Sequence, residues 1–382
     1  MSSRRPLMQQ ARLAVLCGVG TTDNNGIVAF GFRLTAALNA TGQVHAAMLR
    51  LDSRECWGRG HLPAGFDAYL LQYNPFAFGR WGFAPWLPVA WQRLRRQGEA
   101  SMVLTIHEAY SPMRGWRDTT MGLWQRAQLL ALLRATDLAI ATCRERSDQV
   151  GAFANRSTIQ EVPIGSNIDV VADPAKIPAL RDRLRGPGVR PIIGTFGNAH
   201  PSRLIPLIEG ALRRLGEVLG EYVVLNLGTQ PPTIAVPDGV ELIAPGHLTV
   251  EDVAVYLSCT DLVLLPYING AITNKGTLMA ALQLGLPVVS TRGPSTDDVL
   301  LGGGLCLVDV RDSEGYAAAA AALMRDSVER ESLGRRGRSL YEREFAWDVI
   351  ARRTIEALGT STMEGGDRKS IGGQVTLDHG VP

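Results

Sequence analysis

The chain has 382 residues, 46% of them hydrophobic and 20% charged, with 39 Lys and Arg against 37 Asp and Glu and a formal net charge of +2. That length calls for two domains of about 150 residues each. The apolar content excludes a disordered chain, and the balanced charge excludes a global field for nucleic acid or an anionic membrane, so any basic site is local.

The first apolar run, Leu13 to Cys17, follows basic residues as a signal peptide would. It has only the length of one strand and leads into a Gly-rich turn, so it reads as the opening strand. No stretch reaches the roughly eighteen apolar residues of a membrane span. The five cysteines (Cys17, Cys56, Cys143, Cys259, Cys306) fit neither a zinc spacing nor a CxxC redox pair. A reducing cytoplasm is the expected setting.

Short apolar runs then alternate with amphipathic stretches, the pattern of βαβ units in parallel sheets with helices on both faces. The first series predicts strands at Leu13 to Cys17, Val44 to Leu49, Ala68 to Gln72, Met102 to Ile106, Leu138 to Ala141 and Ile159 to Val162, with helices at Val28 to Ala40, Val89 to Gln97 and Met121 to Ala135. Asp173 to Arg190, rich in Pro, Arg, Asp and Gly, reads as a linker. The second series predicts strands at Pro191 to Phe196, Tyr222 to Leu227, Val240 to Ile243, Leu262 to Leu265, Pro287 to Ser290 and Gly304 to Leu307. Its predicted helices are Leu204 to Leu219, Val250 to Ser258, Gly276 to Leu284, Tyr316 to Arg325 and a long final stretch from Glu329 to Leu358. The expected organisation is an α/β chain: an N-terminal Rossmann-like acceptor domain (1–175), a C-terminal Rossmann-like donor domain (190–343), a helix returning to the first domain (344–359) and a disordered tail (360–382).

Open α/β sheets bind ligands beyond the carboxyl ends of their strands, so the loops there carry the candidate chemistry. The loop Gly18 to Gly26 offers bare backbone at a helix start but does not match GxGxxG, which disfavours a dinucleotide; the alternative is an ordinary βα turn. The loop Gly194 to Arg203 puts a Gly turn ahead of an Arg at a helix start, suited to a diphosphate, although such an Arg is also commonly just solvated. In Pro266 to Thr277, the cluster Asn274, Lys275, Gly276 and Thr277 gathers an ammonium, bare backbone and a hydroxyl at a helix start. The string is not a Walker A loop, so a triphosphatase is disfavoured. Thr105-Ile106-His107-Glu108 ends a buried strand, with His107 suited to a sugar hydroxyl and Glu108 to a base or to acceptor orientation; a satisfied strand end is the alternative. Asp297-Asp298 is too short a motif for a metal, and none is assigned.

The markers TIHE, ATDLAIATCRERSDQV, VPIGSNID, GTFG, TDLVLLPY, MAALQLGLPVVST and EREFAWDVIARR, in this order, resemble glycosyltransferase family 4 with its GT-B fold, over most of the chain. The resemblance implies two Rossmann-like domains facing across a cleft and a nucleotide-sugar co-substrate, UDP-linked by preference (UDP-GlcNAc or UDP-glucose), held mainly by the second domain. It also implies metal-independent transfer with retention of configuration and no further cofactor. The implied catalytic residues are His107, Glu108, Arg203 and Lys275. The donor contacts are Gly26, Gly197, Asn198, Arg203, Gly246, His247, Asn274, Lys275, Gly276 and Thr277, with the base near Ala244 to Leu248. The acceptor side would use Asn24, Asn25, Tyr73 and Asn74. The family's phosphate-binding Arg and Lys fall on Asn198 and Arg203, and its paired glutamates fall near Ile272 and Ala280, so this chain departs from the pattern where the ribose is held. Lys275 is the candidate substitute for the charge missing at Asn198.

The expected partners are a nucleotide sugar and a small-molecule acceptor, such as a natural-product intermediate, with a cell-envelope or lipid-linked glycan as the alternative and no nucleic acid. A binding protein on a degraded GT-B frame is the reading from another class. The stretch WGFAPWLPVAWQRLRR sets Trp81, Phe83, Trp86 and Trp91 beside Arg93, Arg95 and Arg96. It is readable as core packing with a solvated basic face, or as a peripheral membrane contact.

Overall fold

The computed structural model describes residues 10–19, 26–51, 62, 64–113, 115–153, 158–168 and 173–370, with side chains to residue 359. Contacts divide the described residues into two units, the first from Met1–Thr142, Arg146–Val162 and Ile350–Pro382, the second from Cys143–Glu145 and Pro163–Val349.

Unit 1 is built from β1 (Ala11–Gly18), α1 (Gly26–Ala40), β2 (Val44–Leu51), β3 (Ala68–Tyr73), α2 (Trp86–Gln97), β4 (Ser101–Ile106), α3 (Trp116–Leu133), β5 (Leu138–Ala141), α4 (Arg144–Gly151) and β6 (Ile159–Glu161). All strand pairs are parallel, in the order β2-β1-β3-β4-β5-β6. β3 is buried along its whole length and β4 along all but its first residue, as strands covered on both faces must be. Leu16, Leu71, Leu104 and Trp91 lie in the core at 0% exposure. α2 starts at Trp86 because Pro88 is tolerated in a first turn, and α3 starts at Trp116.

Unit 2 contains α5 (Lys176–Arg185), β7 (Ile192–Phe196), α6 (Ile205–Leu219), β8 (Val223–Leu227), β9 (Glu241–Ile243), α7 (Val250–Ser258), β10 (Leu262–Leu265), α8 (Gly276–Gln283), β11 (Val288–Arg292), β12 (Cys306–Asp309), α9 (Ser313–Arg325) and α10 (Ser327–Glu344). Its sheet, again parallel, runs β12-β11-β10-β7-β8-β9. The strand order therefore reverses between β7 and β10.

Three expectations are corrected. The stretch Asp173 to Arg190 is no irregular linker: α5 forms within it, buries Leu180 and Leu184 one turn apart, and docks in unit 2 through Arg181 to the Ser258 carbonyl (2.8 Å) and Arg185 to Asp261 (2.7 Å). The contact boundary accordingly falls ahead of Pro163, not at residue 175. The single helix expected from Glu329 to Leu358 is two, α10 and α11 (Trp347–Ser370), broken where Phe345 is fully buried and where the Trp347 indole donates to the Ser166 carbonyl (2.9 Å). The last helix continues past Gly359 to Ser370, where a disordered tail was expected. Its three glycines, Gly359, Gly365 and Gly366, cost about 1 kcal/mol each relative to Ala. Residues 371–382 lie outside the described residues.

Candidate functional site

In unit 2 the candidate residues gather where the strand order reverses, the place where doubly wound sheets bind ligands. β7 is followed by Gly197, whose φ of +120° and neighbours disfavour a side chain: a Cβ would come 2.9 Å from Arg203 Nη1 and 3.0 Å from Thr277 Cγ2. The following loop is stitched to the loop after β10. Leu204 N donates to the Pro266 carbonyl (3.3 Å), Ile268 N donates to that of Ser202 (2.8 Å), and Arg203 and Tyr267 form an antiparallel bridge. Gly197, Arg203, Tyr267 and Thr277 are thereby held in one cluster by backbone.

Arg203 is only 9% exposed. Its Nη1 donates to the Phe196 carbonyl (2.6 Å), while Nε and Nη2 are enclosed without a hydrogen-bond partner. Burial pulls the guanidinium below its ordinary value, and the nearby Tyr267 and Tyr316 phenols push the other way. An Arg keeps its proton under such conditions, so an edge of forked donors faces inward without an anion. Tyr267 is itself buried, its phenol raised by that burial, and its hydroxyl pairs with Thr277 Oγ1 (2.9 Å). The Lys275 ammonium lies 5.8 Å from the centre of the same ring. Both candidate cations thus lie against Tyr267, which sequence reading did not select; its only signal was its place at the end of the TDLVLLPY run.

Lys275 is also the N-cap of α8, and no side chain caps that helix. Leu278 N and Met279 N both bond to the Lys275 carbonyl (3.0 Å each), which leaves the Gly276 and Thr277 N–H groups to face a ligand, with the helix dipole adding to the two cations. Asn274, just before, has a buried Oδ1 without a partner. Asn198 Oδ1 accepts from Thr229 Oγ1 (3.1 Å) and Gln230 N (3.0 Å), tying the loop after β7 to the loop after β8. Gly246 (φ +79°) and the exposed His247 follow β9, the edge strand, with β8 between it and β7. Asp297 uses Oδ2 to accept from Thr273 N (2.6 Å) and so braces the loop before Lys275. Among the described residues, no three His, Cys, Asp or Glu side chains come together as a metal site.

In unit 1, His107 stands one residue past β4. Its N–H bonds the Tyr73 carbonyl (2.9 Å), and its ring meets the Phe30 edge at 4.8 Å. Nε2 lies 3.0 Å from Gln72 Oε1, and Gln72 Nε2 donates to Thr105 Oγ1 (3.3 Å), its cross-strand partner in the β3–β4 register. Burial pushes His107 down to about 4, so the ring is neutral at pH 7. A neutral imidazole facing an amide oxygen through Nε2 carries its proton there and leaves Nδ1 as an acceptor.

Two expected roles change. Glu108 is held at 2.6 Å by Arg146, whose side chain is 8% exposed and which also reaches the His107 carbonyl (3.2 Å) and Gln149 (3.1 Å). The carboxylate is thus the counter-ion of a buried cation, a role that fixes the His107 turn and takes Glu108 away from proton transfer. Tyr73 is fully buried, stacked on Phe78, with its hydroxyl accepting from Gln128 Nε2 (3.1 Å), so it is core and meets no acceptor. Asn74 caps the 3-10 turn Pro75–Ala77 through Phe76 N (3.0 Å). Gly26 is the first residue of α1, and Asn24 and Asn25 lie outside the described residues.

Residues 190–326 match the family profile of glycosyl transferases group 1. Solved structures of the same fold include sucrose-phosphate synthase from Thermosynechococcus elongatus (17% identity, 93% of this chain and 100% of that one, TM-score 0.67). Anabaena HepE in complex with UDP and glucose aligns at 12% identity over 92% of this chain and 100% of its own, with a TM-score of 0.65. A UDP-forming trehalose-phosphate synthase from Burkholderia xenovorans, in complex with glucose-6-phosphate, aligns at 12% over 91% and 100%, with a TM-score of 0.59. The search of curated proteins gives no match.

Proposed function

We propose that the chain, which carries a glycosyl transferases group 1 domain at residues 190–326 and two six-stranded parallel sheets, is a GT-B glycosyltransferase that moves a hexosyl or N-acetylhexosaminyl group from a UDP-sugar to a sugar-type acceptor with retention of configuration. The observation that carries the reading is the Arg203 guanidinium, buried beneath the Gly197 turn with two unpartnered donors, beside Lys275 and the uncapped start of α8. A buried cation without a counter-ion is costly, and a diphosphate supplies that counter-ion. Anabaena HepE, whose fold this chain shares, was solved with UDP and glucose, which supports the choice of UDP. The spacing of Cys residues supports a cytoplasmic setting.

In the proposed reaction the acceptor hydroxyl oxygen bonds to the anomeric carbon as the bond from that carbon to the β-phosphate oxygen breaks. The acceptor proton passes to the released phosphate. Negative charge grows on the departing diphosphate, so donors fixed at the leaving group stabilise the transition state more than the ground state. Arg203, Lys275 and the α8 amides fill that role, and no carboxylate base is needed, in keeping with Glu108 being ion-paired to Arg146. His107 offers Nδ1 as an acceptor for a sugar hydroxyl.

The test is a panel of UDP-, GDP- and ADP-sugars incubated with the full chain and simple sugar acceptors, read as released nucleoside diphosphate, with the product anomer assigned by NMR. UDP release with a retained anomer is expected. Binding of UDP without release from any donor would replace the enzyme reading with that of a degraded binding protein; an inverted anomer would remove the retaining mechanism.

A further inference from the structure

Large apolar side chains left in water collect on one part of unit 1. Trp116 is 76% and Trp81 61% exposed, and Phe83, Met113 and Leu123 are also exposed. They come from three segments fastened to the same turns of α3. Gln125 donates to the Trp81 carbonyl (3.0 Å) and accepts from Ser111 N (2.7 Å), the Phe83 ring meets Trp124 edge-on at 5.5 Å, and Gly122 packs under Ser111 and Met113. Trp116 and Leu123, seven residues apart on α3, share a helix face.

The presentation is built into the backbone. Trp81 sits at φ +57°, ψ +21°, a left-handed conformation that bulky residues rarely adopt, and its carbonyl is pinned there by Gln125. Guanidinium groups overlie the rings: Arg80 over Trp81 at 5.1 Å, and Arg117 over Trp116 at 5.2 Å. A saccharide platform needs carboxylates and amides beside its rings to meet hydroxyls. Here the neighbours are Leu123, Met113 and arginines, with Asp118 as a half-buried carboxylate, and the Gln125 amide is already used. Trp rings that prefer the membrane–water boundary, aliphatic side chains beside them, and arginines able to reach anionic headgroups are together the chemistry of an interfacial surface.

We infer that this face of unit 1 docks on an anionic lipid bilayer. The segments that form it follow the carboxyl ends of β3 and β4, the same end of the sheet that carries His107, so docking brings the acceptor side of the reaction to the headgroups. Arg80 and Arg117 give this face its local positive charge on a chain whose net charge is only +2, and Asp118 is the acidic residue in the first turn of α3.

The experiment uses the full chain with sedimented vesicles of phosphatidylcholine alone or mixed with phosphatidylglycerol, and brominated lipids to quench Trp emission. The expected result is pelleting on mixed vesicles, much less on phosphatidylcholine alone, with quenching of the wild type. In the double variant Trp81→Ser/Trp116→Ser, binding should fall at least about tenfold, the scale of losing two buried aromatic contacts. Its circular dichroism and UDP affinity should be unchanged, since both side chains are exposed and neither lies in unit 2. Arg80→Gln/Arg117→Gln should remove the preference for phosphatidylglycerol. Absence of pelleting on either vesicle, equal pelleting of wild type and double variant, or Trp quenching by a soluble oligosaccharide without vesicle binding would overturn the inference.

Discussion

Replacing Arg203 by Met separates a ligand-binding cation from a structural one. Met keeps most of the buried stem and removes the charge. In the unliganded protein the change deletes the bond to the Phe196 carbonyl, worth about 1 kcal/mol net, and leaves that oxygen to find another donor. It also deletes the two enclosed N–H groups that have no partner, each of which costs about 1 to 3 kcal/mol where it stands. These contributions oppose one another: a gain of about 2 to 6 kcal/mol stands against a loss of about 2 to 4, so unfolding free energy in urea should lie between about 2 kcal/mol lower and about 4 kcal/mol higher than in the wild type. With UDP bound the balance differs, because the lost donors are charge-assisted bonds to phosphate oxygens worth about 1.5 to 3 kcal/mol. Titration calorimetry should then show UDP affinity weakened by roughly 10- to 150-fold. An Arg203→Met protein that keeps its stability and binds UDP as tightly as the wild type would refute the clamp. One that loses affinity only in proportion to lost folding would make Arg203 a structural residue.

Lys275→Ala should weaken UDP binding by about 1.5 to 3 kcal/mol and flatten the salt dependence of that affinity, measured by calorimetry at rising ionic strength. His107 has a folded value of about 4 against an ordinary 6.5. The unfolded chain therefore takes up a proton first, so stability is constant above pH 6.5, falls by up to about 1.4 kcal/mol per unit between about 6.5 and 4, and levels off below. Urea titrations across that range should show the slope in wild type and lose it in His107→Gln. Gln72→Leu should lower kcat more than it weakens UDP binding, and the His107 ring nitrogens, followed by 15N NMR, should no longer hold a single tautomer. Glu108→Gln should destabilise the fold by about 1 to 3 kcal/mol, through the buried Arg146 it leaves without its counter-ion, with UDP affinity unchanged in calorimetry.

The strands were legible because a parallel sheet buries both faces of its strands, so each reads as an uninterrupted apolar run. Leu138–Ala141 and Leu262–Leu265 have the bounds that the sequence pattern gives. α5 was not legible: it buries just two Leu side chains, carries Pro178 near its start, and is held largely by arginine contacts to Ser258 and Asp261, some 75 residues away in sequence. Helix phase decided the aromatic stretch as well. Trp86 and Trp91 fall on the inward face of α2, whereas Trp81 and Phe83 precede the helix, where no periodicity directs them.

The candidate site divides along the same line. Loops that follow strands are visible in sequence, and Gly197, Arg203, Lys275 and Thr277 were found that way; their convergence on Tyr267 depends on the strand reversal between β7 and β10, which no local pattern encodes. Gln72 and Thr105 meet only through the β3–β4 register, and Arg146 reaches Glu108 from another helix, so the partners that set the His107 tautomer and occupy the Glu108 carboxylate had no sequence signature. This difference bears on mechanism. The proposed donor site of unit 2 has Ile272 and Ala280 near the positions where the resemblance expects glutamates, and so offers little general-base chemistry. What it retains is donors: an enclosed guanidinium, an ammonium and the open start of a helix. Such a set acts on the leaving diphosphate, so rate should follow the stability of the leaving group more closely than the acidity of the acceptor. Donors with a fluorinated β-phosphate bridge or a poorer nucleotide leaving group, compared at fixed acceptor, measure that dependence directly. A rate that follows acceptor pKa and ignores the leaving group would place the catalysis at a base instead.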